Sequence, residues 1–145
     1  MRIEPLADME LIYRNSAFGE KFFLVRPFGG QEGSGYGEGD GVIKGERING
    51  TVRWVSHPSH RSDGSVLPYA HGMIKTNDGA YILFTLRGRT VWAKGMGRQL
   101  LSVMFETEDN KYKWLNDAFC VLEGAVDHPG LRIRSHLYLC LNEMV

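Results

Sequence analysis

Glu123, Arg134 and His136 come nearest, by type and spacing, to an acid–base arrangement in this chain. If Phe119 to Asp127 and Leu131 to Leu141 are strands joined through His128-Pro129-Gly130, a Pro-Gly step that favours a type II turn, parity groups Phe119, Val121 and Glu123 with Arg134, His136 and Tyr138. Glu123 then stands opposite His136, with Arg134 diagonal to both. A carboxylate beside an imidazole orients the ring and raises its basicity, which suits general acid–base work near neutral pH. The other reading is a cross-strand ion pair on a solvated sheet face. Burial decides between the two.

A second candidate pair is Tyr69 and His71. Asn77-Asp78-Gly79 lies between two alternating apolar runs and predicts an antiparallel hairpin of Pro68 to Thr76 with Ala80 to Arg87. Closed as a two-residue turn, at Asp78-Gly79 or at Asn77-Asp78, it puts Tyr69, His71, Met73 and Lys75 on the face of Ile82, Phe84 and Leu86. Ala70, Gly72 and Ile74 then share the other face with Tyr81, Leu83, Thr85 and Arg87. A phenol and an imidazole set in an aromatic and aliphatic wall is the composition of a small-molecule pocket. Tyr69 and His71 are therefore expected to face a cavity, with Phe84 beside them.

These residues need strands to position them, and the rest of the sequence supplies strands almost throughout. Met9 to Arg14, Lys21 to Arg26, Val42 to Lys44, Arg47 to Val55 and Leu100 to Glu106 read as further strands. The glycine-dense stretch Gly29 to Gly41 lacks both the Lys-Ser/Thr ending of a phosphate loop and the strand-to-helix setting of a dinucleotide fingerprint. It reads as a loop running into a Gly-rich strand. One helix is expected, capped by Thr107 and running through Tyr112, Trp114 and Leu115 to about Asp117, its aromatic face plugging one end of the structure. Both faces of the central hairpin carry bulky apolar groups, which suits a sheet closed on itself better than a sheet with one wet side. The expectation is an all-β barrel of about eight to ten antiparallel strands, a single domain over residues 1–145, with one short plugging helix.

Composition narrows the partners. Lys plus Arg and Asp plus Glu both number 17, so no basic field exists to hold nucleic acid or an anionic membrane. The two cysteines, Cys120 and Cys140, fall in apolar runs and read as small buried hydrophobes. No signal-peptide pattern opens the sequence and no apolar run approaches a membrane span, so a cytoplasmic location is expected. The polar segment Ser56 to Ser65 holds His57, His60 and Asp63, but no third His or Cys stands at ligand spacing, so neither metal nor cofactor is expected. That segment reads as a solvated turn or as a rim that touches ligand.

The runs Gly45 to Val52, Arg61-Ser62-Asp63-Gly64 and Ala70 through Thr76-Asn77-Asp78-Gly79-Ala80, with the later Phe105-Glu106-Thr107 and Tyr112-Lys113-Trp114-Leu115-Asn116, resemble in order and spacing the small uncharacterised proteins of the DUF3237 or UPF0311 family. The resemblance spans about Gly41 to Tyr138. It implies a calycin-like antiparallel barrel with a central cavity and no firmly assigned activity. Members usually carry an acidic residue and an Arg where this chain has Tyr69 and His71.

In an up-and-down barrel, the Ser56 to Ser65 loop, the Trp92 to Gly97 connection and the His128-Pro129-Gly130 turn emerge at one end, opposite the helix. A cavity would open there. The expected function is a cofactor-independent isomerase, cyclase or lyase acting on a small hydrophobic, carbonyl- or phenol-bearing molecule. His71 or His136 would move the proton, with Tyr69 and Glu123 assisting, and Arg53, Trp54, Phe84, Arg87, Trp92, Arg134 and Tyr138 would contact substrate. The alternative is a barrel that binds such a molecule without turning it over. A homodimer is compatible with either.

Overall fold

The computed structural model describes residues 1–127 and 131–145. Among them, eight long strands close into an antiparallel barrel: β1 (Arg2–Arg14), β3 (Gly33–Lys44), β4 (Gly50–Ser56), β7 (Tyr69–Thr76), β8 (Tyr81–Ala93), β9 (Met96–Glu106), β10 (Phe119–Asp127) and β11 (Arg132–Leu141). Closure comes from β1, which pairs with β11 on one edge and β3 on the other over the same stretch, Asp8 to Arg14 facing Lys44 to Glu38. Three short strands elaborate one end. These are β2 (Phe22–Val25), which pairs with β3 alone, and β5 (Ser59–His60) and β6 (Val66–Leu67), which bridge from β3 across to Thr90 of β8. No described helix is long and apolar enough to cross a membrane.

The glycine-dense stretch is strand rather than loop from Gly33 onward. Gly33, Gly35, Gly37, Gly39 and Gly41 alternate with polar residues, and all but Gly41 are fully buried. A Cβ at Gly35 would strike the Phe22 ring, at Gly37 the Tyr13 ring, at Gly39 the Trp54 indole and at Gly41 the Leu11 side chain. The missing side chains are thus the space that the neighbouring strands' rings occupy.

The central hairpin forms where its sequence indicates, but with the opposite parity. Tyr69 pairs with Arg87, His71 with Thr85 and Ile74 with Ile82, so three residues rather than two make the turn. Gly79 N donates to Thr76 O and Thr76 N to Ala80 O, with Gly79 at φ +91°, the left-handed conformation that a three-residue loop requires and glycine supplies. One added residue turns every side chain to the other face. Ala70, Gly72, Ile74, Ile82, Phe84 and Leu86 point inward, and Tyr69 and His71 point outward with Thr85 and Arg87.

The expected helix is shorter than the sequence implies. Only Lys113–Asp117 is helical, as a single 3-10 turn, and Thr107 does not cap it. Thr107 Oγ1 donates instead to Tyr81 O, while its backbone and the Asn116 carboxamide exchange hydrogen bonds at 2.8 Å each. The segment still plugs its end of the barrel. Leu115 is completely buried and Tyr112 nearly so, whereas Trp114 is half-buried beneath the Arg47 guanidinium, 3.6 Å above its ring. Asp78 of the hairpin turn accepts from Thr76 Oγ1, Lys111 Nζ and Tyr112 Oη, which ties turn and plug together. These bonds, the Lys111 ammonium foremost, hold its carboxyl well below the usual carboxylate range.

The β10–β11 hairpin keeps the expected register, Glu123 opposite His136, and buries Cys120, Leu122, Val126, Ile133 and Leu137. Its turn at His128-Pro129-Gly130 lies outside the described residues. Burial pushes the Cys120 thiol up to about 12, so it remains a protonated apolar group.

Gly39→Ala should cost about 1–3 kcal/mol, because its methyl meets both Ile12 O and the Trp54 ring. Urea denaturation measures it, and a loss under about 0.5 kcal/mol would show that the indole yields freely. Leu115→Ala should cost about 2–5 kcal/mol by opening a void at the plugged end.

Candidate functional site

Where the chain turns away from the plug, the barrel interior opens into a cavity of about 290 Å³. Tyr13 of β1, Phe22 and Leu24 of β2, Trp54 and Ser56 of β4, His60 of β5, Thr90 and Trp92 of β8, and Gln99 of β9 line it, with Leu86, Leu101, Leu122, Val126 and Ile133 completing an apolar wall. This is the end that strand alternation designates from the sequence.

Three aromatic rings form one side of the cavity. Tyr13 meets Trp54 edge-on at 4.6 Å between centroids and Phe22 edge-on at 5.7 Å, and each ring stands over a glycine of β3. The Trp54 indole N–H donates to Asp40 O at 2.9 Å, so the residue offers the cavity only its apolar surface. Phe22 also lies 5.9 Å from the His60 ring.

The polar groups in this wall are few, and two are unsatisfied. Among the described residues, His60 Nε2 and Gln99 Oε1 are buried without a hydrogen-bond partner. Gln99 Nε2 donates to Thr90 Oγ1 at 3.0 Å, a pairing set by the cross-strand register of the two residues. Desolvation lowers the His60 pKa, so its ring is neutral near physiological pH and its free nitrogen can take or give a proton. Burial raises the Tyr13 phenol, a hydrogen bond with Ser56 offsetting part of the shift, so Tyr13 is a neutral donor. A neutral imidazole, a neutral phenol and a carboxamide around an apolar space can hold a small molecule by a hydroxyl or carbonyl and move a proton on it.

The residues singled out from sequence divide between the two faces of the barrel. Trp54 and Trp92 line the cavity, and Phe84 points inward but lies deeper, packed against Gly72. Tyr69 and His71 do not face the lumen, a correction that follows from the three-residue turn. They lie outside in a row of rings, Tyr36, His57, His71 and Tyr69, with the Arg87 guanidinium 4.1 Å above the Tyr69 ring. Arg53 is also external, bonded to Asp40 at 2.7 Å.

Glu123, Arg134, His136 and Tyr138 share one face as expected, but it is the outer face. His136 Nδ1 bonds Asp8 of β1 at 2.7 Å rather than Glu123, with 62 % of its side chain exposed, and Glu123 accepts from Tyr138 Oη at 3.2 Å. The face is the solvated one of the ion-pair reading, but His136 takes Asp8 as its partner in place of Glu123. Among the described residues no group of three His, Cys, Asp or Glu side chains could hold a metal ion.

Sequence reasoning passed over Tyr13, Thr90 and Gln99 and took His60 only as a rim residue. A strand from Gly33 would have shown its partners' inward positions. The signal was the period-two run of glycines.

No protein-family model matches the chain. Over 78 residues it is 36 % identical to a hydroalkoxylation enzyme of Penicillium herquei, an alignment covering 53 % of this chain and 47 % of that enzyme. The match thus spans about half the length of that relative. A crystal structure of a β-barrel-like protein from Acinetobacter baumannii superposes with a TM-score of 0.82 at 17 % identity, over 95 % of this chain and 94 % of that one. An enzyme from Penicillium herquei superposes with a TM-score of 0.60 at 23 % identity, over 94 % and 93 %. The two structures share the barrel fold with this chain.

His60 should leave a signature in the pH dependence of stability. The native chain binds its imidazole proton at lower pH than the unfolded chain, whose value is about 6.5, so the unfolded state holds more protons in between. Stability present at neutral pH is therefore lost as pH falls below about 6.5 and through the native value. Urea denaturation at neutral pH and at about pH 5 should show a larger loss for the wild type than for His60→Gln, and equal losses would mean that the ring is protonated in place without cost.

Proposed function

We propose that this chain is a cofactor-independent enzyme, an isomerase, cyclase or lyase, acting within the barrel lumen on a small hydrophobic molecule that bears a carbonyl or phenol. The observation that carries the reading is the buried, unpartnered Nε2 of His60 facing an aromatic-walled cavity. His60 takes the part first expected of His71 or His136, and Tyr13 the part expected of Tyr69. Membership of the DUF3237 or UPF0311 group belongs to the same proposal, resting on the motifs quoted above.

The similarity to a hydroalkoxylation enzyme supports a particular chemistry. Addition of an O–H group across a carbon–carbon double bond within one molecule forms one C–O bond and one C–H bond. The hydroxyl proton is removed and an equivalent proton reaches the other alkene carbon, so substrate and product are isomers. No oxidant or reductant enters. A neutral imidazole can collect the hydroxyl proton as the oxygen attacks, and the imidazolium so formed can return a proton to carbon. The apolar aromatic wall disfavours the water that would compete for the same carbon.

ortho-Allylphenol tests this, since its cyclic ether is an isomer that chromatography resolves. His60→Gln should lower turnover about 10²- to 10⁴-fold, the usual contribution of a positioned acid–base group. His71→Ala should leave it near the wild-type value. Equal loss in both variants would move the site to the outer face, and lumenal binding of the phenol without conversion would favour the non-catalytic barrel.

A further inference from the structure

The other orphaned atom of the lumen identifies what the ligand must present. Gln99 is 9 % exposed, its carboxamide nitrogen is committed to Thr90 Oγ1, and its Oε1 lies buried with no donor in reach among the described residues. An unmet carbonyl oxygen inside a protein costs free energy that a bound donor would recover. Leu101, Leu122 and Val126 of the surrounding wall carry no donor side chain, and the hydrogen bond from Nε2 to Thr90 Oγ1 turns the carboxamide oxygen away from Thr90. We infer that the Gln99–Thr90 pair is a specificity subsite that accepts a hydrogen bond from a ligand hydroxyl, so the cavity selects hydroxylated aromatic or alicyclic molecules over hydrocarbons and simple ketones of the same shape.

The arrangement fits such recognition because both strands fix it. Thr90 and Gln99 are direct cross-strand partners on β8 and β9, and the hydroxyl of Thr90 holds the carboxamide in one orientation. A fixed acceptor in an apolar wall discriminates strongly, because a ligand without a donor leaves the oxygen desolvated and unpaired. The inference rests on the lumen being the substrate site. It adds that the substrate carries an O–H group at the Gln99 side, while His60 acts from β5.

Three probes of similar shape test it: β-naphthol, which donates, naphthalene, which does neither, and α-tetralone, which only accepts. Dissociation constants come from NMR titration of the purified full chain, following the side-chain amide resonances of Gln99 and the indole resonances of Trp54 and Trp92. The wild type should bind β-naphthol roughly fivefold or more tightly than naphthalene or α-tetralone, with the Gln99 amide resonances shifting. Gln99→Leu should erase that preference while naphthalene binds as well as before or better. Thr90→Val, which releases the carboxamide without removing it, should weaken the preference and serves if Gln99→Leu does not fold.

The inference is overturned if the wild type shows no preference, if the preference survives both substitutions, or if α-tetralone is favoured through Gln99, which would make the carboxamide a donor. Binding of none of the probes would sink the inference and the lumenal site together. A lost preference with His60-dependent turnover intact would sink the inference alone.

Discussion

The barrel and its cavity depend on the absence of side chains along one face of β3. Four alternate glycines, Gly35, Gly37, Gly39 and Gly41, let Phe22, Tyr13, Trp54 and Leu11 press against the β3 backbone, closer than any Cβ would permit. That contact seats the aromatic wall, holds the short strand β2 over the cavity mouth and lets β1 approach β3 to close the barrel. Gly in a strand ordinarily costs stability through lost backbone entropy and lost packing. Here large rings fill the vacated volume, and the burial of those rings offsets the cost.

What the sequence conveyed about the fold follows from how locally each feature is encoded. The all-β class, an antiparallel barrel of about eight to ten strands, the β10–β11 register and the end at which the cavity opens rest on alternation and strand count, which survive small errors of boundary. The facing of Tyr69 and His71 rests instead on one residue of turn length at Asn77-Asp78-Gly79. Two- and three-residue connections both suit an Asp-Gly step, and the difference inverts every side chain in the hairpin. The helix was overread for a related reason. Thr107 and the acidic residues after it look like a capped first turn, and Thr107 Oγ1 does accept from Asp109 N, but its hydrogen bonds to Tyr81 and Asn116 hold the segment in place and the helical turn begins only at Lys113.

The candidate site was less legible because its members are scattered. Tyr13, His60, Thr90 and Gln99 come from four strands, and only Thr90 and Gln99 are linked by a local hairpin register. Closure brings that pair to one lumen with Tyr13 and His60. Glu123 and His136, by contrast, were placed opposite each other correctly and still form no enclosed pair, because register says which residues meet and not which side of a closed sheet they meet on.

That distinction between faces decides the chemistry. The outer surface carries the more obvious constellations: histidines in a row of rings, a histidine bonded to an aspartate, arginines over an aromatic ring and beside an aspartate. All of these are open to water, where ion pairs are screened, hydrogen bonds exchange with solvent and a bound molecule would keep most of its hydration shell. The lumen has fewer polar atoms, yet two of them lack partners among the described residues, and its polar side chains are neutral. In a poorly polarisable wall each hydrogen bond to a ligand counts for more, because water offers no alternative partner. One imidazole and one carboxamide inside the barrel therefore have more capacity to bind and transform a small apolar molecule than the larger set of charged groups outside it.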